Sequence, residues 1–374
     1  MVVTANLPIF LTGALAVQLR DDLGLGRASL GGAIAVILAA ASLGSSYLGQ
    51  RAQEWGPVRA LRLSTVLTAM GAAGIALFSR DWPSLVPWLL LVGFGLSIAE
   101  SAGNLLLQER VRIDRLGSVF GIKQSAPPMA AMLAGLAVPI AVASDQWRVF
   151  YLVAAGLSLL SLTALPSANP DRGRDRGDVG RVLRRAPLLL MSAGLGCGFA
   201  ATNGVATFLV DSAVTQGVPP ARAGLYLTVS SIVASLTRLT LGRVADTRSV
   251  DGLFRLLVGA MLVGTGGYLL FAVGSPRLVL PGALLAFGVG YGWAGLGFLA
   301  VARVAGRAAA AASGLVLTGA FIGGLTGPLL TGILADTFGY RTTWLALCAM
   351  TVVGATILWI SGRWLQRIGD GVAS

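Results

Sequence analysis

Twelve runs of predominantly apolar residues, each long enough to cross a bilayer as a helix, account for most of this 374-residue chain. A spanning helix needs roughly 20 such residues. The runs lie near 1–18, 28–49, 59–79, 84–107, 116–141, 147–166, 187–210, 221–241, 253–273, 278–302, 309–334 and 343–362. None shows the period-two alternation that marks a membrane barrel. The expected fold is therefore all-α, a membrane protein of 12 transmembrane helices. Composition excludes the soluble alternative: charged residues are only 12%, against about 25% in a soluble domain. The 51 glycines lie mostly inside the runs, where small residues let membrane helices approach closely.

The formal net charge of +12 does not point to nucleic acid. The arginines fall in short gaps between apolar runs, as in polytopic membrane proteins, and not on one polar surface. With the N-terminus inside, nineteen arginines lie on inner connections and the C-terminal tail, against seven on outer connections. Both termini are expected to be cytoplasmic, in a plasma (inner) membrane. A cleaved signal peptide is disfavoured, because eleven more spans follow the first and no cleavage site stands out. The native start is left open, at Met1 or upstream of it.

There is no histidine, which removes imidazole catalysis and most imidazole metal sites. Cys197 and Cys348 are far apart in apolar surroundings, so they are small packing residues and not a disulfide or zinc framework. No phosphate-binding G-x-x-x-x-G-K-[ST] loop is present, which disfavours ATP as the driving force. No catalytic residue, metal or cofactor is expected.

The stretch Ser167 to Arg185 is the one long charged connection. It divides the chain into an N-terminal bundle (1–166), a cytoplasmic linker (167–186) and a C-terminal bundle (187–374). The two halves match at a constant shift of 193 residues. Gly31 maps to Gly224, Gly49 to Gly242, Phe94-Gly95 to Phe287-Gly288, Arg110-Val111 to Arg303-Val304, Gly121 to Gly314 and Arg148 to Arg341. One ungapped register over that distance implies two pseudo-symmetric six-helix bundles, an arrangement of secondary transporters with substrate bound between the repeats.

At this point the chain resembles the major facilitator superfamily along essentially its whole length. The loop after the second span, GQRAQEWGPVRALR (Gly49–Arg62), and the loop after the eighth, GRVADTRSVDGLFR (Gly242–Arg255), both resemble the superfamily's Gly-x-x-x-Asp-x-x-Gly-Arg signature. Gln53 replaces the usual Asp in the first copy, with Glu54 beside it, and Ser249 replaces a Gly in the second. The resemblance implies a gating latch built from Arg51, Glu54, Arg59, Arg243, Asp246 and Arg248. The competing view is a solvated loop whose charges only set orientation.

Three ionisable residues lie well inside predicted spans: Glu100, Lys123 and Arg238. A charge in hydrocarbon costs at least ~2.5–3.5 kcal/mol on insertion scales, so such residues face a cavity or a partner. All three break the repeat, standing opposite Trp293, Val316 and Ser45. Scaffold is shared by both halves, whereas a substrate is not symmetric, so these are the substrate-site candidates. Lys123 is the sole lysine in the chain. Glu100 and Lys123 lie on consecutive antiparallel spans at similar depth, roughly 12–14 Å from the inner face at 1.5 Å per residue. They meet either as a static pair or as one that opens when Lys123 engages an anion; the alternative is that the helices are rotated and the two never meet. Asn104 shares the Glu100 helix face, Gln124 adjoins Lys123, and the prolines that follow free backbone carbonyls beside a cavity. Arg238 resembles the span-8 arginine with which monocarboxylate and oxalate-type carriers bind substrate carboxylate. Snorkelling to the interface is its alternative. Tyr291 and Trp293 in the tenth span are candidates to shape an organic ligand, with packing the alternative. Asn203 in the seventh is a further candidate.

These features point to a monomeric secondary carrier that works by alternating access. Its expected partners are a small organic anion, the lipid bilayer and protons. The alternatives are an exporter of drugs or amphipathic metabolites, in which Lys123 is structural, and a membrane receptor or scaffold that moves nothing. Span 5 lacks the Gly-x-x-x-Gly-Pro-x-x-Gly-Gly pattern of drug/proton antiporters, which lowers efflux without removing it.

Overall fold

A computed structural model describes residues 1–110, 116–165, 186–305 and 309–373, apart from the side chains of 45–54, 104–110, 116–118, 120, 298, 302, 304–305, 309–315, 317 and 366–373. The described residues form helices throughout. In the N-terminal half these are α1 (Val2–Ala14), α2 (Ala16–Leu23), α3 (Arg27–Trp55), α4 (Pro57–Phe78), α5 (Trp82–Arg110), α6 (Leu116–Gln124), α7 (Ala126–Ser144) and α8 (Trp147–Leu160). In the C-terminal half they are α9 (Ala186–Thr215), α10 (Pro220–Asp246), α11 (Val250–Val273), α12 (Pro276–Ala283), α13 (Ala294–Ala305) and α14 (Ala309–Ala373).

Among the described residues, ten segments are long and apolar enough to span a membrane. The bent pair α1/α2, with 68° between its members, makes an eleventh. The 65-residue α14 contains a break at Gly339 (φ 74°, ψ 171°) and is two spans. Only glycine adopts that backbone conformation without strain. The twelve expected spans are all present.

Two spans are interrupted at mid-depth, each for a readable reason. Pro127 and Pro128 lack the amide hydrogens that would extend α6, so the ladder stops at Ser125 and restarts with prolines in the first turn of α7. Between α12 and α13 the chain passes through a π-helical turn, Leu284–Val289, and non-helical residues up to Trp293. Such irregular backbone is tolerated at membrane depth only where protein or a cavity satisfies it.

The halves meet along two equivalent seams. A Cβ on Gly31 (α3) would sit 2.3 Å from the Pro328 carbonyl oxygen (α14), and one on Gly224 (α10) would sit 2.8 Å from that of Gly135 (α7). The shift of 193 that turns Gly31 into Gly224 also turns Gly135 into Pro328. The same pair of positions is therefore used twice, with the roles of the halves exchanged. Large apolar side chains such as Leu136 and Ile140 on α7, Leu262 on α11 and Val353 on α14 are exposed on the outside. In water so much exposed apolar surface would be a liability, and in a bilayer it is the lipid face.

Candidate functional site

Successive spans alternate in direction, so the molecule has a termini face, where α1 begins and α14 ends, and a far face opposite. A cavity of about 70 Å³ lies between the halves. Its apolar wall includes Phe10, Ile34, Leu38 and Leu96, and its polar wall Asn6, Asn203, Thr207 and Tyr291. Asn6 and Phe10 come from α1, Asn203 and Thr207 from α9, and Tyr291 from the break between α12 and α13. Both halves build it.

The three intramembrane charges lie around the termini side of this cavity. Glu100 is one turn beyond Leu96 on α5, and Lys123 is one turn before Pro127, which also lines the cavity. The Lys123 ammonium donates to Glu100 Oε2 at 2.6 Å, so the two spans bring this expected pair together. The lysine side chain is only 7% exposed, whereas the Glu100 side chain is 30% exposed.

Arg238 of α10 is 3% exposed. Its Nε and one terminal nitrogen donate to the Tyr291 carbonyl at 3.1 and 2.9 Å, and the other terminal nitrogen donates to the Gln124 carbonyl. The guanidinium lies over the Tyr291 ring, 4.1 Å from its centroid, a favourable cation–π position. Sequence explains why these carbonyls are available. Gln124 is four residues before Pro128, which has no N–H to bond it, and Tyr291 sits in the broken tenth span. Arg238 thus ties the C-terminal half to the N-terminal half through backbone freed by two helix breaks. It faces inward and does not snorkel. Among the described residues no carboxylate bonds it, although Glu100 lies within electrostatic reach. Lys123 and Arg238 flank the same turn of α6 but have different partners. A narrow void of about 10 Å³ beside Arg238 is walled by Gly121, Gly242, Gly292 and Gly295, again from both halves.

The other predicted residues separate. Tyr291 lines the cavity, whereas Trp293 is buried in a distinct core of the C-terminal half against Phe199. The Gln124 side chain packs on Gly295. The Asn104, Arg51 and Glu54 side chains lie outside the described residues. Arg59, Arg243 and Arg248 are exposed and Asp246 is half-buried. The organising group at the loop after α10 is Arg303, whose guanidinium donates to the carbonyls of Arg248, Ala245 and Asp246 at 2.5, 3.0 and 3.4 Å.

The far face holds a cluster that the sequence did not suggest. Asp211, at the end of α9 and 2% exposed, accepts from Arg20 at 2.6 Å, from Arg27 at 2.7 Å and from the Tyr340 hydroxyl. Both arginines belong to the N-terminal half. Asp336 of α14 accepts from the Ala28 amide at 2.7 Å and the Arg27 amide at 3.3 Å, capping the N-terminus of α3 from the other half. Helix α9 extends one turn past the predicted span end at residue 210, and this places Asp211 inside the protein and not in a loop. An acidic residue directly at a span boundary was the available signal.

Comparison with known proteins agrees with this architecture. A family model described as Major Facilitator Superfamily matches residues 2–310. Among solved structures, a D-xylose–proton symporter superposes with TM-score 0.74 at 14% identity, covering 96% of each chain. The proton:xylose symporter XylE bound to 6-bromo-6-deoxy-D-glucose superposes with TM-score 0.72 at 15% identity, covering 96% of this chain and 94% of that one. At such identities the likeness is one of fold, and the sugar ligand is a property of those proteins. Because the family model runs through the first ten spans and the fold extends the match to the rest, the chain belongs to the Major Facilitator Superfamily and is a secondary membrane transporter, not an enzyme.

Proposed function

We propose that this transporter carries a small organic anion between its two halves, coupled to protons. The observation that carries this reading is Arg238, a buried cation at the seam whose described partners are neutral carbonyls and an aromatic ring. Glu100, Lys123 and Arg238 together sum to one positive charge. A buried charge is normally paired, and an anionic guest supplies the missing charge. Rocking of the halves loosens the Gln124 contact, because donor and acceptor belong to different halves, and frees guanidinium hydrogens for a carboxylate. Lys123 and Glu100 form the second element of the site. An anion that draws Lys123 away leaves Glu100 to bind a proton, which links the two fluxes.

The remaining expectations complete the proposal: a plasma-membrane protein, monomeric, with the termini face cytoplasmic and no nucleic-acid partner. A second reading, an exporter of neutral amphipathic molecules, draws support from the apolar wall of Phe10, Ile34, Leu38 and Leu96. The test is uptake of a carboxylate panel into proteoliposomes under an imposed pH gradient. Anion transport predicts uptake that Arg238→Gln and Lys123→Ala abolish while the purified variants stay monodisperse. Export of neutral dyes that is unaffected by Arg238→Gln favours the second reading.

A further inference from the structure

The hydrogen-bonding inventory of the cavity selects among anions. Asn6 Nδ2 donates to the Val2 carbonyl and Asn203 Nδ2 to the Phe199 carbonyl, each at 2.8 Å and each four residues back on its own helix. Only the nitrogen of a carboxamide is accommodated beside a carbonyl oxygen, so this contact fixes the orientation of both amides. Each Oδ1 is thereby turned off its helix, and no described donor reaches it. Thr207 Oγ1 spends its hydrogen on the Asn203 carbonyl at 2.8 Å and keeps its lone pairs. Asn6, Asn203 and Thr207, from both halves, therefore bring three acceptor oxygens to one small cavity, beside a single remaining N–H on each amide and the Tyr291 hydroxyl, which both donates and accepts. Acceptors outnumber donors, and a guest that brings only acceptors leaves lone pairs buried and unmet.

The repeat relates the two carboxamides. Under the shift of 193, Asn6 stands opposite Phe199 and Phe10 opposite Asn203. Each half carries one Asn and one Phe, four residues apart on one helix face and in reversed order; Phe10 lines the cavity, whereas Phe199 packs against Trp293. The cavity thus has a carboxamide from each side, offset by a helical turn, in place of two at one level.

Resting on the anion reading above, we propose that the guest is a small hydroxycarboxylate, with its carboxylate toward the Arg238 side and its hydroxyl hydrogen on Asn203 Oδ1. The cavity volume of about 70 Å³ is near half that of an engineered cavity which holds benzene, roughly 150 Å³. A guest that fills this cavity is therefore smaller than benzene.

Ligand-induced thermal stabilisation and calorimetry on the full chain in detergent test this with four probes of similar size: glycolate, acetate, ethylene glycol and glycine. The expected result is glycolate binding about fivefold or more tighter than acetate, the value of a hydroxyl that meets an acceptor. Asn203→Leu, near-isosteric, is expected to reduce that ratio to about one. The comparison of glycolate with acetate needs no variant, so it stands even if Asn203→Leu fails to fold. Equal binding of acetate and glycolate overturns this inference and leaves the anion reading intact. Ethylene glycol matching glycolate, with Arg238→Gln silent, overturns the anion reading and leaves the donor requirement standing. Glycine exceeding glycolate overturns the hydroxyl in favour of an ammonium donor. Absence of any binding by the four overturns the proposal.

Discussion

Asp211 of the C-terminal half receives Arg27 of the N-terminal half at 2.7 Å, almost out of reach of solvent. The same carboxylate also holds Arg20 and the Tyr340 hydroxyl, so this one buried acid makes three of the contacts at the far face, two of them across the halves. Removing one partner of a buried pair costs about 3–5 kcal/mol because the remaining charge is left uncompensated. Asp211→Asn keeps the shape and removes the charge. It is expected to move the ratio of far-face-closed to far-face-open molecules toward open by on the order of a hundredfold. Spin labels at Arg80 and Arg277, exposed residues at the far-face ends of opposite halves, with Cys197 and Cys348 replaced by Ala, report the distance directly. An unchanged distance distribution in Asp211→Asn would show that the cluster does not hold this face shut.

The seams make a symmetric prediction. Gly31 and Gly224 occupy equivalent positions, and a side chain on either meets backbone of the other half closer than any real Cβ contact. Backbone cannot rotate away as a side chain can, so the helices must separate. Gly31→Val and Gly224→Val are each expected to open their seam and to lower Tm by several degrees, the usual scale of overpacking by about 1–3 kcal/mol. Because the seams are distinct, the double variant should show roughly additive losses. A neutral Gly224→Val would contradict the equivalence drawn from the repeat.

Much of this architecture was legible because it is written in long-range pattern. Twelve apolar runs and one constant shift require no knowledge of side-chain geometry, and the depth of Glu100 and Lys123 follows from residue counting along antiparallel helices. The far-face cluster was not legible. Asp211 stood one residue past a predicted boundary, and the partners Arg20, Arg27 and Tyr340 are distant in sequence. The fate of Arg238 was half legible. Prolines after Gln124 announced free carbonyls, but nothing in the sequence said that an arginine from the other half would take one. Asn6 was overlooked because a neutral amide in an apolar run carries no charge to flag it, and its role depends on which atom its own helix claims.

The Glu100–Lys123 pair separates structure from function cleanly. Glu100→Gln or Lys123→Met alone leaves one charge at mid-membrane and should destabilise the protein. The double variant Glu100→Gln/Lys123→Met replaces the pair with neutral groups of similar size and should recover most of the lost stability, as buried pairs generally permit. Thermal unfolding of the four proteins measures the coupling. If the pair is only scaffold, proteoliposome uptake recovers together with Tm. The anion mechanism predicts recovery of Tm without recovery of uptake.

Arg303 makes the last case, and it concerns shape more than charge. Its guanidinium reaches three carbonyls at the C-terminal end of α10, groups that a helix leaves without intrahelical donors. A guanidinium has five hydrogens in a planar fork, and a lysine ammonium presents three from a single point. Arg303→Lys keeps the charge near the helix C-terminus, which the helix dipole favours, yet cannot span Ala245 to Arg248. Loss of a cap of this kind is worth about 1 kcal/mol, and Arg303→Lys is expected to lose most of it, falling close to Arg303→Ala in Tm. Hydrogen exchange should localise the change to residues near 245–250, with the far face unaffected. Full rescue by lysine would mean that the contribution is electrostatic and that the three-way bonding geometry is incidental.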